Sequence, residues 1–190
     1  MKKYRKVALF DMDGTLADYY GRFMSDLSTI CSPEEKVYTY NDIDKHPYLK
    51  QRKLFITNQP GWWLNLPQLP LGFQILDICE KIGYEIMILT KGPWGRDNAW
   101  TEKLMWCNRY LPGRQITITM DKSLTYGRVL VDDYPEYALN WLEHRPRGLV
   151  VMPKSQACEG FSHKNVVICD NSHSSICEVT EKLILAFERE

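Results

Sequence analysis

A doubly wound α/β domain with a parallel sheet, broken early by a small, mainly helical insertion, is the fold this sequence predicts. Three features predict it. Val7 to Phe10 is an unbroken apolar run that ends on Asp11, the pattern of a strand buried on both faces at the centre of a parallel sheet. Further short apolar runs alternate with stretches of helical periodicity, the βαβα rhythm of an open α/β sheet. The stretch from Tyr19 to Pro70 departs from that rhythm, being rich in Tyr, Trp, Pro, Lys and Asp without a central-strand run.

In chain order, the expected strands after the first are Glu85 to Leu89, Gln115 to Thr119, Arg128 to Val131, Leu149 to Met152 and Val166 to Cys169, each short and bounded by turn residues. Helices are expected over Leu71 to Ile82, stopped by Gly83, over Asn98 to Tyr110, stopped by Pro112, and over Ser174 to Arg189. Pro135 suits the first turn of another helix. The division that follows is a core of residues 1–18 and 71–190 and a cap of residues 19–70 inserted after the first strand. A chain of 190 residues accommodates one such domain with a sizeable core.

Basic and acidic side chains balance at 24 each, so there is no electrostatic footprint for nucleic acid or an anionic membrane surface. The six cysteines form no CxxC pair and are read as reduced core thiols. The basic start, Met1 to Lys6, precedes only four apolar residues, too few for a signal-peptide core or a membrane span. These features predict a soluble protein in a reducing compartment, the cytoplasm.

Ligands of an open parallel sheet bind beyond the carboxyl ends of its strands, so chemistry is sought there. Four places qualify. Asp11-Met12-Asp13-Gly14-Thr15 puts two carboxylates one residue apart as the first strand ends, with a glycine that lets the chain turn sharply. Thr90-Lys91 offers a hydroxyl and an ammonium to phosphate oxygens. Lys122 follows Met120-Asp121, and Asp132-Asp133 follows Arg128 to Val131.

These four motifs, in this order, resemble the haloacid dehalogenase superfamily, with its DxDGT, strand-end Ser or Thr, Lys and strand-end acidic pair. Paired carboxylates are usually solvated turn residues, but two pairs at the ends of apolar strands would repel one another without a cation between them. Mg²⁺ is the expected cofactor, a hard ion that takes carboxylate oxygens and retains waters for a phosphate ligand. The resemblance implies that Asp11 is the nucleophile and Asp13 the general acid and base. It further implies that Asp11, the Asp13 backbone carbonyl and one of Asp132 or Asp133 bind the metal, and that Thr90 and Lys122 hold the phosphoryl oxygens.

Within that superfamily the sequence is most similar to the 5′(3′)-deoxyribonucleotidases. The stretches that carry this are Asp11 to Asp18 (DMDGTLAD), Pro60 to Pro70 (PGWWLNLPQLP), Glu102 to Trp106 (EKLMW), Met120-Asp121-Lys122 and Val129 to Asp133. The similarity implies a small phosphomonoester substrate, a deoxynucleoside monophosphate, with Lys103 as a second phosphate-side cation and Tyr19 packing on the base or sugar; a dimer would be common for the family. Trp62 and Trp63 could offer stacking faces to a base, but are read as packing within the insertion. Lys91 stands where the family commonly has Ser, Met120 where it has Arg, and its aromatic GFWV segment has no counterpart between Thr29 and Pro60. His163, Asp170 and His173 receive no role.

The competing readings are a phosphatase acting on a sugar phosphate or a nucleic-acid 3′ end, and a non-catalytic phosphate-binding module. Neutral charge counts against a polynucleotide, and retention of every motif residue counts against the module. A dehalogenase would not need Asp13, and a phosphomutase would need a second phosphate site in the cap, for which there is no distinct signature.

Overall fold

A computed structural model of the protein describes residues 5–189; residues 1–4 of the basic start, and residue 190, lie outside them. Six parallel strands form one sheet in the order β3-β2-β1-β4-β5-β6, from β1 (Val7–Phe10), β2 (Glu85–Lys91), β3 (Gln115–Thr119), β4 (Val129–Val131), β5 (Leu149–Pro153) and β6 (Val166–Cys169). β1 lies inside the sheet, pairing Phe10 with Ile88 on one side and with Val131 on the other. The strand order reverses across β1 and β4, and the crevice at such a switch point is where open α/β sheets bind ligands.

Because side chains alternate along a strand, β1 feeds two cores. Val7 and Leu9 join Trp141, Val150 and Met152 on one face, while Ala8 and Phe10 join Ile75, Trp106 and Leu183 on the other. Helices α3 (Pro70–Ile82), α4 (Asp97–Tyr110), α5 (Pro135–Glu143) and α6 (His173–Glu188) flank the sheet. α3 and α5 carry proline in their first turns, and Gly83, at φ 104°, closes α3 in the left-handed conformation. β2 runs on to Lys91, so Thr90 and Lys91 belong to the strand itself rather than to the turn after it.

Between β1 and α3 lie α1 (Tyr19–Ile30), a 3₁₀ turn (Tyr40–Lys45) and α2 (Pro47–Thr57). The outgoing and returning chains run side by side: the Asp18 amide donates to the Pro67 carbonyl at 2.8 Å and the Leu69 amide to the Leu16 carbonyl at 2.8 Å. α4 fastens the aromatic segment ahead of α3. Glu102 accepts from the Gly61 and Trp63 amides at 2.8 and 3.1 Å, and Trp106 Nε1 donates to the Leu66 carbonyl at 2.8 Å. Trp62 and Trp63 are buried in this packing, as expected of them, and donate their indole N–H groups to Asp26 and to the Thr57 carbonyl.

The cysteine reading needs correction. All six are free, but only Cys79, Cys107, Cys158 and Cys169 are buried; Cys31 is half-buried and Cys177 exposed. Cys177 lies in the first turns of α6 on the face turned from the core, which its apolar neighbours Ile176 and Val179 concealed in the sequence. Among the described residues, no helix is long and apolar enough to cross a membrane.

α3 approaches the turn after β1 closely at Gly72, where an added Cβ would fall 1.9 Å from the Thr15 carbonyl oxygen. Gly72→Ala is therefore expected to cost about 1–3 kcal/mol or more, as overpacking does, and urea denaturation reads the loss. An unchanged midpoint would contradict this close approach.

Candidate active site

The site is built on the turn that ends β1. The Asp11 amide is held to the Val131 carbonyl at 2.9 Å, and the Leu16 and Ala17 amides return to the Met12 carbonyl at 2.8 and 2.7 Å. This tight loop presents Asp11 and Asp13 to the same cleft. Gly14 makes the loop possible: its φ is 80°, and a Cβ there would sit 2.5 Å from Asp133 Oδ2.

Each carboxylate of the turn is secured by its own buried lysine. Lys122, in the 3₁₀ turn after β3, reaches Asp11 Oδ1 at 2.8 Å and Asp132 Oδ2 at 2.7 Å. Burial works against its charge, yet Asp11 and Asp132 outweigh that and hold the ammonium above its ordinary range. Lys103, from α4, donates to Asp13 Oδ2 at 2.5 Å, to the Lys91 carbonyl at 2.7 Å and to Thr90 Oγ1 at 3.2 Å. Enclosure pushes the Asp13 carboxyl up, and the charge of Lys103 opposes it.

The strand-end pair completes the cluster. Burial pushes Asp132 up to about 6, against the pull of Lys122, and its second oxygen accepts from the Tyr134 amide at 3.0 Å. Asp133 is held well above the carboxylate range by burial and then by the charges of Asp132 and Asp11. Asp133 Oδ2 and Asp13 Oδ1 are buried with no hydrogen-bond partner among the described residues.

Asp11, Asp132 and Asp133 bring one carboxylate oxygen each to within 4.8 Å of one another. Counting Asp13, four carboxyl groups share two paired ammoniums, Lys103 and Lys122. Clustered oxygens and an orphaned buried carboxylate oxygen suit a hard divalent cation of the Mg²⁺ kind.

The sequence-predicted residues therefore converge, with differences in depth. Asp11, Asp13, Tyr19, Lys91, Lys103, Lys122 and Asp133 line one cleft of about 420 Å³, whereas Thr90 and Asp132 are fully buried behind it as partners of the two lysines. Tyr19 stacks on Trp63 at 5.4 Å and Phe23 at 6.2 Å. Lys91 donates to the Tyr137 hydroxyl at 3.2 Å and overhangs its ring, as Lys122 also does. His163 and Asp170 serve local turns, Asp170 accepting from Ser172 and His163 Nδ1 from the Asn165 amide, while His173 opens α6 with its Nε2 3.7 Å from Cys177 Sγ.

Lys53, Arg96, Tyr40 and Tyr137 also line the cleft and were not singled out from the sequence. For Tyr137 a signal existed, two residues beyond the helix-starting Pro135 and just after the acidic pair. Lys53 and Arg96 carry no motif; their placement depends on how the insertion docks.

Known proteins resemble the chain in sequence and in fold. Residues 5–166 match the family described as 5′ nucleotidase, deoxy (pyrimidine), cytosolic type C protein. A Bordetella pertussis protein named "putative 5′(3′)-deoxyribonucleotidase" is 29% identical over 138 residues, covering 67% of this chain and 73% of that one. A protein of the same name from Vibrio phage KVP40 is 22% identical over 137 residues, covering 70% and 68%. Among solved structures, a haloacid dehalogenase family hydrolase from Deinococcus radiodurans superposes with a TM-score of 0.55 at 12% identity, covering 95% of this chain and 97% of that one. A haloacid dehalogenase-like hydrolase from Burkholderia xenovorans gives 0.56 at 14%, covering 98% and 100%, so the fold is theirs. With the match spanning most of its length and the site at the strand ends intact, the chain belongs to the deoxy-type, cytosolic type C 5′ nucleotidase family, and is a phosphoric monoester hydrolase on a haloacid dehalogenase fold.

Proposed function

We propose that this hydrolase is a Mg²⁺-dependent 5′(3′)-deoxyribonucleotidase acting through an aspartyl-phosphate. The observation that carries the reading is the turn after β1, whose two carboxylates share one cleft and are secured by different buried lysines.

In this mechanism Asp11 attacks phosphorus. A bond forms between its carboxylate oxygen and phosphorus as the bond to the nucleoside oxygen breaks, which divides one difficult displacement into two easier ones. Asp13 donates its proton to the departing alkoxide, then takes one from the water that hydrolyses the acyl phosphate, releasing inorganic phosphate and restoring Asp11. Burial favours the protonated Asp13 and Lys103 the ionised one, an opposition that suits a group working in both forms. Lys122 fixes one oxygen of Asp11 and, with Lys91 and with Lys103 held from behind by the Thr90 hydroxyl, supplies preorganised positive charge for the phosphoryl oxygens. Tyr19 is the wall against which the nucleoside packs.

When bound, Mg²⁺ would neutralise phosphoryl charge and help align the phosphate. Asp11, Asp133 and the Asp13 backbone carbonyl are the groups proposed to hold it. Asp133 is preferred to its neighbour because both oxygens of Asp132 are engaged, by Lys122 and by the Tyr134 amide, while Asp133 Oδ2 has no partner. Residues 19–70 are proposed as the cap and the remainder as the core, and the free thiols favour the cytoplasm as the working compartment.

Phosphate release with Mg²⁺ across deoxy- and ribonucleoside 5′ and 3′ monophosphates and sugar phosphates tests the reading. Deoxynucleotides should be hydrolysed selectively, and Asp11→Asn should lower the rate roughly 10⁴-fold or more, as loss of a nucleophile does; hydrolysis of sugar phosphates alone would discard the nucleotidase. Chelation should abolish turnover and Mg²⁺ restore it. Asp133→Asn should raise the half-saturating Mg²⁺ concentration at least about tenfold, more than Asp132→Asn does. Equal effects of the two would remove the preference for Asp133.

A further inference from the structure

Two cations on the cleft wall, Lys53 and Arg96, make no ion pair among the described residues. Lys53 and Thr57 occupy successive turns on one face of α2, where Thr57 Oγ1 donates to the Lys53 carbonyl at 2.8 Å. Thr57 Oγ1 also accepts from the Arg96 guanidinium at 2.7 Å, which anchors that group one helical turn from Lys53. The Lys53 ammonium donates to the Tyr40 hydroxyl at 2.8 Å and stands 5.9 Å from the ring centre of Tyr19. Both side chains are half-buried and share the cleft with Asp11 and Asp13.

Of the basic side chains lining the cleft, only Lys103 and Lys122 make ion pairs among the described residues. Asp44, also on the cleft wall, pairs with Lys50 at 3.9 Å instead. A hydroxyl satisfies a donor but brings no charge, so Lys53 and Arg96 face the same cleft with hydroxyl partners alone among the described residues. An anion that reached both would supply the charge-assisted contacts those hydroxyls lack. Arg96 engages one nitrogen with Thr57, and a guanidinium offers further N–H donors in a fork suited to phosphate or carboxylate.

We propose that Lys53 and Arg96 form a second anion subsite, which takes a phosphate of the substrate other than the one hydrolysed. The favoured substrates are then nucleotides with two separate phosphates, of the deoxynucleoside 3′,5′-bisphosphate kind; this extends the nucleotidase reading and rests on it for the nucleoside. A cleft of about 420 Å³ is within the range that encloses a ligand of that size.

Calorimetric binding to Asp11→Asn protein separates the subsite from catalysis. A deoxynucleoside 3′,5′-bisphosphate should bind about tenfold or more tightly than the matching 5′ monophosphate, the effect of a charge-assisted hydrogen-bonding contact. The preference should vanish in a Lys53→Met, Arg96→Met double variant and return in part with Arg96→Lys on the Lys53 background, while near-UV circular dichroism checks that each variant is folded. Equal affinity for the two nucleotides, or an equal loss for both in the double variant, would overturn the subsite. A preference seen with a hexose bisphosphate over its monophosphate, but with no nucleotide, would keep the subsite and overturn its assignment to nucleosides. A binding preference in protein whose Asp11 form hydrolyses no nucleotide would support the subsite and count against the nucleotidase.

Discussion

Buried charge at the carboxyl ends of the neighbouring strands β1 and β4, with the lysines that reach it from α4 and from the turn after β3, is the constraint on which the rest of the structure depends. Asp11, Asp132 and Asp133 are almost wholly removed from water, as are Lys103 and Lys122. Taking one such ion out of water costs several kcal/mol even after relaxation, and pairing within the cluster offsets only part of it. That burial has two consequences visible in the molecule. Asp132 and Asp133 are pushed upward by burial, and one oxygen of Asp133 is left with no partner. A folded chain that retains so unfavourable a cluster is organised for a ligand that completes it, not for stability.

Stability must then come from elsewhere, and the packing shows where. β1 contributes alternate side chains to two apolar cores that enclose Trp106 on one face and Trp141 on the other. The insertion extends the first of these cores, where Tyr19, Phe23, Trp62 and Trp63 meet edge-on or stacked at 4.9–6.2 Å, geometries that add to the gain from area burial. α4 couples this apolar packing to the charged cluster. Glu102 and Trp106 hold the aromatic segment while Lys103, between them in sequence, turns inward to Asp13. A shift of the insertion would thus be felt at Lys103 through a single helix, which makes docking of the insertion and the state of the Asp13 carboxyl parts of one arrangement.

Much of this was legible in the sequence, for a definite reason. Strands buried on both faces read as continuous apolar runs, and carboxylates at their ends stand out against that background; β1 with Asp11 and β4 with Asp132-Asp133 could therefore be placed directly. Lys103 was found through a local similarity rather than a pattern, since a lysine on an amphipathic helix is ordinarily solvated. What was not legible lies where two remote segments meet. Lys53 and Arg96 look like surface residues of separate elements, and only the hydroxyl of Thr57 joins them. The depth of Thr90 and Asp132 was likewise hidden, because strand position tells which end of the sheet a residue occupies but not whether it faces the cleft or supports a residue that does.

The net charge of zero conceals a segregation along the cleft. At the end built by the sheet, carboxyl oxygens cluster within a few ångströms in an arrangement that could hold a divalent cation. At the end built by α2 and the loop before α4, positive charge stands with hydroxyl partners only. Whole-chain charge reports on long polyanions, which sample the entire surface. It carries no information about a small ligand, which samples only the cleft wall. For such a ligand the relevant quantity is the sum over the side chains that enclose it, and with the strand-end carboxylates neutralised by a cation, that sum favours an anion.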